Sequence, residues 1–211
     1  MRNAVVRLAT AGWWLALGLW LSAIMTAGVA AAFVFGNLKR TGLVLPDHPV
    51  SESLHWRYAA GRVMIDVFWI VDLMQLVAAA LGLLAAAVLL VAVPPLRRRW
   101  SVRLQVAALL VAIGSFGTYA IRIAPSMNAT LRAQWAAAQA GDEPEAERLR
   151  ASFNDEHVLS TRLMSLSLAG VLGAGLASAF AFAPVGGRAG GDGDAGGTGR
   201  LEPPALLGGR R

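Results

Sequence analysis

Long apolar stretches alternate with polar ones along this chain, and four of the apolar stretches approach or exceed the length needed to cross a membrane. Residues 8–38, 73–96, 104–121 and 163–187 each lack a formally charged side chain. A bilayer hydrocarbon core of about 30 Å requires roughly 20 apolar residues per helix. The pattern therefore predicts an all-α fold, an integral membrane four-helix bundle. We place its spans at about residues 11–36, 69–93, 103–123 and 163–183.

The polar segment between the third and fourth spans predicts a helical hairpin that extends beyond the bundle. Pro125 marks a kink or a stop after the third span, and residues 127–140 are rich in good helix formers. Gly141 then supplies a helix stop, Asp142 a candidate N-cap, and Pro144 a residue suited to a first helical turn. We expect the second arm to run on into the fourth span.

The basic residues predict how the bundle is oriented. Arg97, Arg98, Arg99 and Arg103 crowd the short connection between spans two and three without a nearby acid, and short basic loops tend to stay on the cytoplasmic side. Both termini should then be cytoplasmic, the hairpin extracytoplasmic, and the protein a multi-pass protein of the cytoplasmic (inner) membrane. The first apolar run is about twice the length of a signal-peptide core, so we expect it to be retained. The Gly-rich residues 186–211 predict a disordered cytoplasmic tail.

Composition supports a membrane protein and excludes several other classes. Hydrophobic residues make up 56% of the chain and charged residues 15%, which is too apolar and too poor in charge for an ordinary soluble domain. The net charge of +6 is scattered around apolar spans, so we expect no nucleic acid partner. The chain contains no cysteine, which removes thiolate nucleophiles and thiolate metal ligands.

Small residues recur every four positions in three of the spans. Such ridges let helix backbones approach closely, either inside one bundle or between copies. The expected partners are therefore the lipid bilayer and a homo-oligomer or a partner membrane helix. The ridges are Gly18, Ser22, Thr26 and Ala30; Ala78, Gly82 and Ala86; and Ser165, Ala169, Gly173 and Ala177.

Ionisable side chains near the outer ends of spans two to four define a candidate polar cluster. Such groups cost several kcal/mol at membrane depth and normally face the bundle interior or a wet cavity. Arg62 and Asp66 have the i, i+4 spacing of a helical ion pair, whereas Asp66 and Asp72 point about 120° apart on a helical wheel. The candidate binding residues are Arg62, Asp66, Asp72, Arg122, His157 and Ser160.

The sequence contains no recognisable set of catalytic residues, and we do not expect the protein to be an enzyme. Glu52 and His55, three residues apart, resemble only half of a carboxylate-bridged metal site, so we expect no metal. All three histidines lie outside the apolar runs, which argues against haem, and no other cofactor is indicated. Two functions stay open. The polar cluster binds or passes a small solute or ion, or the protein is a structural, partner-binding membrane protein without transport activity.

Residues 119–127 (YAIRIAPSM), followed by 131–132 (LR) and 153–160 (FNDEHVLS), carry a resemblance to a known family. The pattern is an aliphatic third span that ends before a proline and a basic residue, then Phe153 and His157 leading into the last span. It resembles a four-span membrane family of unknown function that includes transmembrane protein 205 and bacterial relatives. The likeness covers about residues 15–175. It implies a four-helix membrane fold and carries over no catalytic or ligand residues.

Overall fold

Four long helical rods make up the structure. The computed structural model describes residues 2–47, 49 and 55–182, so the predicted tail and Glu52 lie outside the described residues. Every regular element in the described part is helical, and four helices are long and apolar enough to cross a membrane. This confirms the prediction of an all-helical chain with four long apolar helices. The elements are α1 (Arg2–Thr41), α2 (His55–Ala92), a 3-10 turn (Pro94–Arg98), α3 (Trp100–Thr118), a π-helical turn (Tyr119–Ile123), α4 (Ala124–Gln139) and α5 (Glu143–Phe182).

The rods pack as two pairs. Helix α1 packs mainly along α2, and α3 packs mainly along the second half of α5, while α1 also touches α5. The main core lies where these pairs meet, and its largest fully buried side chains include Trp13, Trp20 and Leu109. Apolar side chains also cover the outside of the rods, as Leu84, Leu110 and Phe180 illustrate. An outer surface of this kind is suited to lipid rather than to water.

Helices α3 and α5 cross at a point that only glycine allows. A Cβ atom added at Gly170 would lie 2.7 Å from the backbone oxygen of Ala108 and 2.9 Å from the Cβ of Ala112. One turn further on, a Cβ at Gly173 would lie 3.5 Å from the Cβ of Ala108, an ordinary contact. Gly170 therefore sets how closely this helix pair approaches.

The three ridges of small residues have different surroundings. In α2 the ridge is buried, and a Cβ at Gly82 would meet Leu109 and Ala16. In α5 the ridge is exposed at Ser165 and buried at Ala177. In α1 the ridge from Gly18 to Ala30 is largely exposed, so it takes little part in packing this bundle.

Pro125 does not end the third rod, so of the kink or stop that the sequence predicts, the stop does not occur. The helix passes through a π-helical turn at Tyr119–Ile123 and continues as α4, with Pro125 in the first turn of α4. The amide of Ala124 donates to the carbonyl of Tyr119, five residues back. Proline lacks an amide proton and its ring clashes with the carbonyl four residues earlier, so a locally wider turn lets the helix continue.

The predicted hairpin turn forms as expected between α4 and α5. Gly141 has a φ of +76°, and the amides of Gly141 and Asp142 donate to the carbonyls of Ala138 (3.3 Å) and Ala137 (3.0 Å). These two bonds define a Schellman cap that ends α4. Asp142 Oδ1 then accepts the amide of Glu145 at 3.1 Å, so the predicted N-cap of α5 is present.

A second, smaller core joins the first turns of α2 to the hairpin. It contains Tyr58, Ala138 and Ala146, with Trp135 packed against it. We call this end of the molecule the hairpin end. We call the opposite end, where α1 begins, α2 ends and α3 begins, the basic end.

Candidate functional site

Asp72 is the charged group placed deepest in an apolar segment of α2. It is the only charged residue between Asp66 and Arg97, and its side chain is half-buried. Gln75 follows three residues later, on the same side of the helix, and is fully buried. Two polar side chains therefore point into the bundle from the middle of α2.

Side chains from α1 and from the π turn hold these two polar groups. The Tyr119 hydroxyl donates to Asp72 Oδ2 at 3.4 Å, and Trp20 Nε1 donates to Gln75 Oε1 at 3.1 Å. Phe116 links the two donors, with its ring centroid 6.1 Å from Trp20 and 6.4 Å from Tyr119. We call Trp20, Asp72, Gln75, Phe116 and Tyr119 the Asp72 cluster.

The Asp72 cluster contains one free acceptor and one free donor. Asp72 Oδ1 and Gln75 Nε2 are shielded from solvent, and neither has a hydrogen-bond partner among the described residues. The orientation of the Gln75 amide follows from its neighbour, because Trp20 Nε1 can only donate and so requires the amide oxygen. A group that both donates and accepts, such as a hydroxyl, has the hydrogen-bonding capacity that these two atoms lack.

Three of the predicted site residues lie on the outside of the rods. Arg62 is exposed, and its guanidinium carbon lies 5.5 Å from the centre of the Trp135 ring. Asp66 and Arg122 are also exposed. The ion pairs within the described residues are Arg148–Glu145 and Arg150–Glu147, so the spacing of Arg62 and Asp66 does not produce one there.

Two further predicted residues, His157 and Ser160, lie on α5. His157 is exposed, with its ring stacked on Phe153 at 5.8 Å, whereas Ser160 is buried. Ser160 Oγ donates to the backbone carbonyl of His157 at 2.8 Å. Within residues 2–47, 49 and 55–182, this is the one side-chain hydrogen bond that joins two of the six candidates. Of the six, only Asp72 belongs to the Asp72 cluster.

Sequence reasoning did not identify Trp20 and Tyr119 as partners of the polar groups in α2. Trp13 and Trp20 are both fully buried, whereas Trp14 is exposed. Trp13 Nε1 donates to Ser178 Oγ at 2.9 Å, which ties α1 to α5. The sequence signal for this burial was the seven-residue spacing of Trp13 and Trp20, which puts both indoles on one side of α1.

The described residues show no clustering of metal ligands. Side chains of His, Asp and Glu within them form no group of three or more that could hold a metal ion. The backbone amide of Leu45 donates to His55 Nδ1 at 2.9 Å. Glu52, the other half of the suspected pair, lies outside the described residues.

In the part of the chain that the structure describes, the fold is all-helical, and its four long apolar helices enclose a small polar cluster. No protein-family model, curated protein or solved structure matches this chain. The resemblance to the four-span family therefore stays a prediction that rests on the motif residues alone.

Proposed function

We propose that the chain is a four-span protein of the cytoplasmic membrane, with both termini cytoplasmic and the α4–α5 hairpin outside. Four long apolar helices and their apolar outer surface support insertion into a bilayer. The arginines between α2 and α3 support the orientation, because short basic loops tend to stay on the cytoplasmic side. We also propose that the chain belongs to the four-span family that residues 119–160 resemble.

The activity we propose is to bind and pass a small hydroxyl-bearing solute at the Asp72 cluster. The observation that carries this proposal is the pair of unpartnered atoms, Asp72 Oδ1 and Gln75 Nε2, on one side of α2. Polar groups that are buried without a partner are costly, and ionisable groups inside membrane helices typically line solute pathways. Gln105 Oε1 and Ser167 Oγ are also buried without a partner among the described residues, but the Asp72 cluster brings a free acceptor and a free donor to the same side of one helix.

The two free atoms favour a particular class of solute. A hydroxyl can donate to the Asp72 carboxylate and accept from the Gln75 amide at the same time. A bare metal cation would gain from the carboxylate but would face the positive end of the amide N–H groups. The cluster therefore suits water or a small polyol better than a metal ion, and glycerol is a suitable first probe.

Glycerol uptake by proteoliposomes tests this function. The full chain is reconstituted, and swelling in a glycerol gradient is followed by stopped-flow light scattering. We expect faster swelling than in protein-free liposomes, and we expect Asp72→Asn to abolish the difference. Asparagine keeps the shape of the side chain, but Tyr119 takes its one acceptor and leaves an amide donor facing the donor of Gln75.

Asp155→Asn is the matched control, because Asp155 is exposed on α5 outside the cluster. It should swell at the rate of the unsubstituted chain. The proposal fails if the unsubstituted chain swells no faster than empty liposomes, or if Asp72→Asn swells as fast as the unsubstituted chain. Size-exclusion chromatography of each variant verifies that it is folded.

A second candidate function, docking of another membrane helix, is favoured by the exposed ridge on α1. Gly18, Ser22 and Thr26 are exposed, and α1 is the least covered of the four rods. Small residues allow close helix approach in lipid. Light scattering of the detergent-purified protein should then give the mass of a dimer, which Ser22→Leu reduces to a monomer. Met25→Leu, also exposed on α1, should leave the dimer intact, and a monomeric unsubstituted chain would rule out self-association.

A further inference from the structure

A pocket at the basic end lies between the first turns of α1 and the last residues of α2. Its volume is about 510 Å³, and it opens beside the 3-10 turn that follows α2. The residues that α1 contributes share one side of the helix, because they are spaced by one and four positions. The walls are formed by Arg2, Asn3, Val6 and Arg7 from α1, and by Ala92, Val93, Pro94 and Pro95 from the other side.

The charge in this pocket has no counterpart among the described residues. Neither Arg2 nor Arg7 forms an ion pair with any residue in the described ranges, whereas Arg148 and Arg150 on α5 each pair with a glutamate. The sequence from residue 73 to residue 141 contains no acid at all, nor does the sequence before residue 47. Within the described ranges, two guanidinium groups therefore face a cavity without a carboxylate to neutralise them.

The pocket lies where the apolar outer surface begins. Val5 and Leu8, next to the two arginines, are exposed, and so is Trp100 at the start of α3. Tryptophan and basic side chains at the end of an apolar helix mark the level of lipid headgroups. Two guanidinium groups at that level are placed to meet lipid phosphates.

An apolar groove adjoins the same end of α2. It has a volume of about 370 Å³ and runs between α2 and α3. Its α2 wall is Leu90, two residues before the pocket residue Ala92, so the groove and the pocket flank one helix end. The α3 wall is Val102, Val106, Ala107 and Leu110, with Arg103 as the one charged member.

We propose that the pocket formed by Arg2, Asn3 and Arg7 binds the phosphate of an anionic phospholipid, with an acyl chain in the groove between α2 and α3. Guanidinium groups bind phosphate oxygens through paired N–H donors, and the Asn3 amide adds a further donor. Basic pockets between membrane helices bind anionic headgroups in this way. A choline headgroup is disfavoured, because its ammonium would meet two guanidinium groups.

Native mass spectrometry of the full chain in mild detergent tests the site. Phosphatidylglycerol and phosphatidylcholine with the same acyl chains are titrated separately, and bound lipid is counted. We expect phosphatidylglycerol to bind more tightly than phosphatidylcholine. The double variant Arg2→Gln/Arg7→Gln should bind phosphatidylglycerol about 30-fold more weakly, because each arginine near a membrane surface contributes about fivefold to the affinity. Asparagine at position 3 is kept in this variant.

The double variant Arg132→Gln/Arg162→Gln is the matched control. It removes two exposed arginines from α4 and α5, away from the pocket, and should keep the lipid preference. Equal binding of the two lipids, or unchanged binding in Arg2→Gln/Arg7→Gln, would overturn the proposal. So would an equal loss in the control, because the effect would then be one of net charge.

Inorganic phosphate separates a lipid from a soluble ligand. A lipid site should bind inorganic phosphate far more weakly than phosphatidylglycerol, because the groove then adds nothing to binding. Val106→Asn, which places a polar side chain in that groove, should weaken lipid binding and leave phosphate binding unchanged. Inorganic phosphate that binds as tightly as the lipid would instead show a site for soluble phosphate compounds.

Discussion

Replacing Gly170 by alanine should loosen the α3–α5 pair on which the main core depends. The added Cβ would lie 2.7 Å from the Ala108 oxygen and 2.8 Å from the Ala112 nitrogen, both backbone atoms that cannot rotate away. Ordinary contacts begin at 3.4 Å, so relieving the 2.7 Å contact requires the two helices to separate locally by about 0.7 Å. A gap of that size forfeits a quarter to a half of the dispersion energy of each contact it opens.

The magnitude follows from two opposing effects. Overpacking of a close-packed interface costs about 1–3 kcal/mol, while alanine gains roughly 0.5–1 kcal/mol over glycine within a helix. We therefore expect Gly170→Ala to lower the free energy of unfolding by about 1–2 kcal/mol. Gly173→Ala is the matched control, because its Cβ meets Ala108 at an ordinary 3.5 Å. That variant should be unchanged or slightly more stable.

Intrinsic fluorescence during denaturant titration in mixed micelles measures both variants. The buried Trp13 and Trp20 report on the core, since unfolding transfers both indoles to a more polar environment. A Gly170→Ala protein as stable as the unsubstituted chain would refute the close approach of α3 and α5. An equal loss in Gly173→Ala would show that both glycines act through the helix backbone rather than through the crossing.

Two further substitutions test hydrogen bonds that hold the site and the hairpin. Trp20→Phe removes the donor to Gln75 Oε1. It should lower the free energy of unfolding by about 0.6–2 kcal/mol in the same titration, since interhelical hydrogen bonds in membranes are worth about that much. An unchanged midpoint would show that the bond contributes nothing. Asp142→Ala removes the N-cap of α5 and should lower the stability of its first turn by about 1 kcal/mol. Amide hydrogen exchange should then be faster at Glu145 and little changed in the core. Unchanged exchange at Glu145 would contradict the cap.

The helices were predictable because each apolar run approaches or exceeds the roughly 20 residues of a bilayer-spanning helix, in which the backbone groups are hydrogen-bonded within the segment itself. The hairpin turn was predictable for a local reason, since Gly141 and Asp142 have the chemistry of a helix stop and a helix start. Helix partners were not predictable, because three spans carry similar small-residue ridges. Only the structure distinguishes the ridge buried in α2 from the one exposed on α1.

Only the part of the site that lies on α2 was predictable, because it follows from the regular geometry of one helix. Asp72 and Gln75 share one side of α2 because they are three residues apart, and the structure places both toward the bundle. Their partners come from other helices, and their positions depend on how those helices are rotated. A single change of helical phase is enough to exchange one partner for another.

Such a change of phase occurs at the π turn. Tyr119 is buried, and an uninterrupted α-helix would bring the positions three and four residues later, Arg122 and Ile123, to the same inward side. The structure instead brings Ile123 and Ala124 against the core and leaves Arg122 exposed. The extra residue in the turn therefore turns the guanidinium outward and leaves the Tyr119 hydroxyl as the partner of Asp72. Had Arg122 faced inward, it could have neutralised that carboxylate, and the unpartnered acceptor on which the proposed solute site depends would not exist.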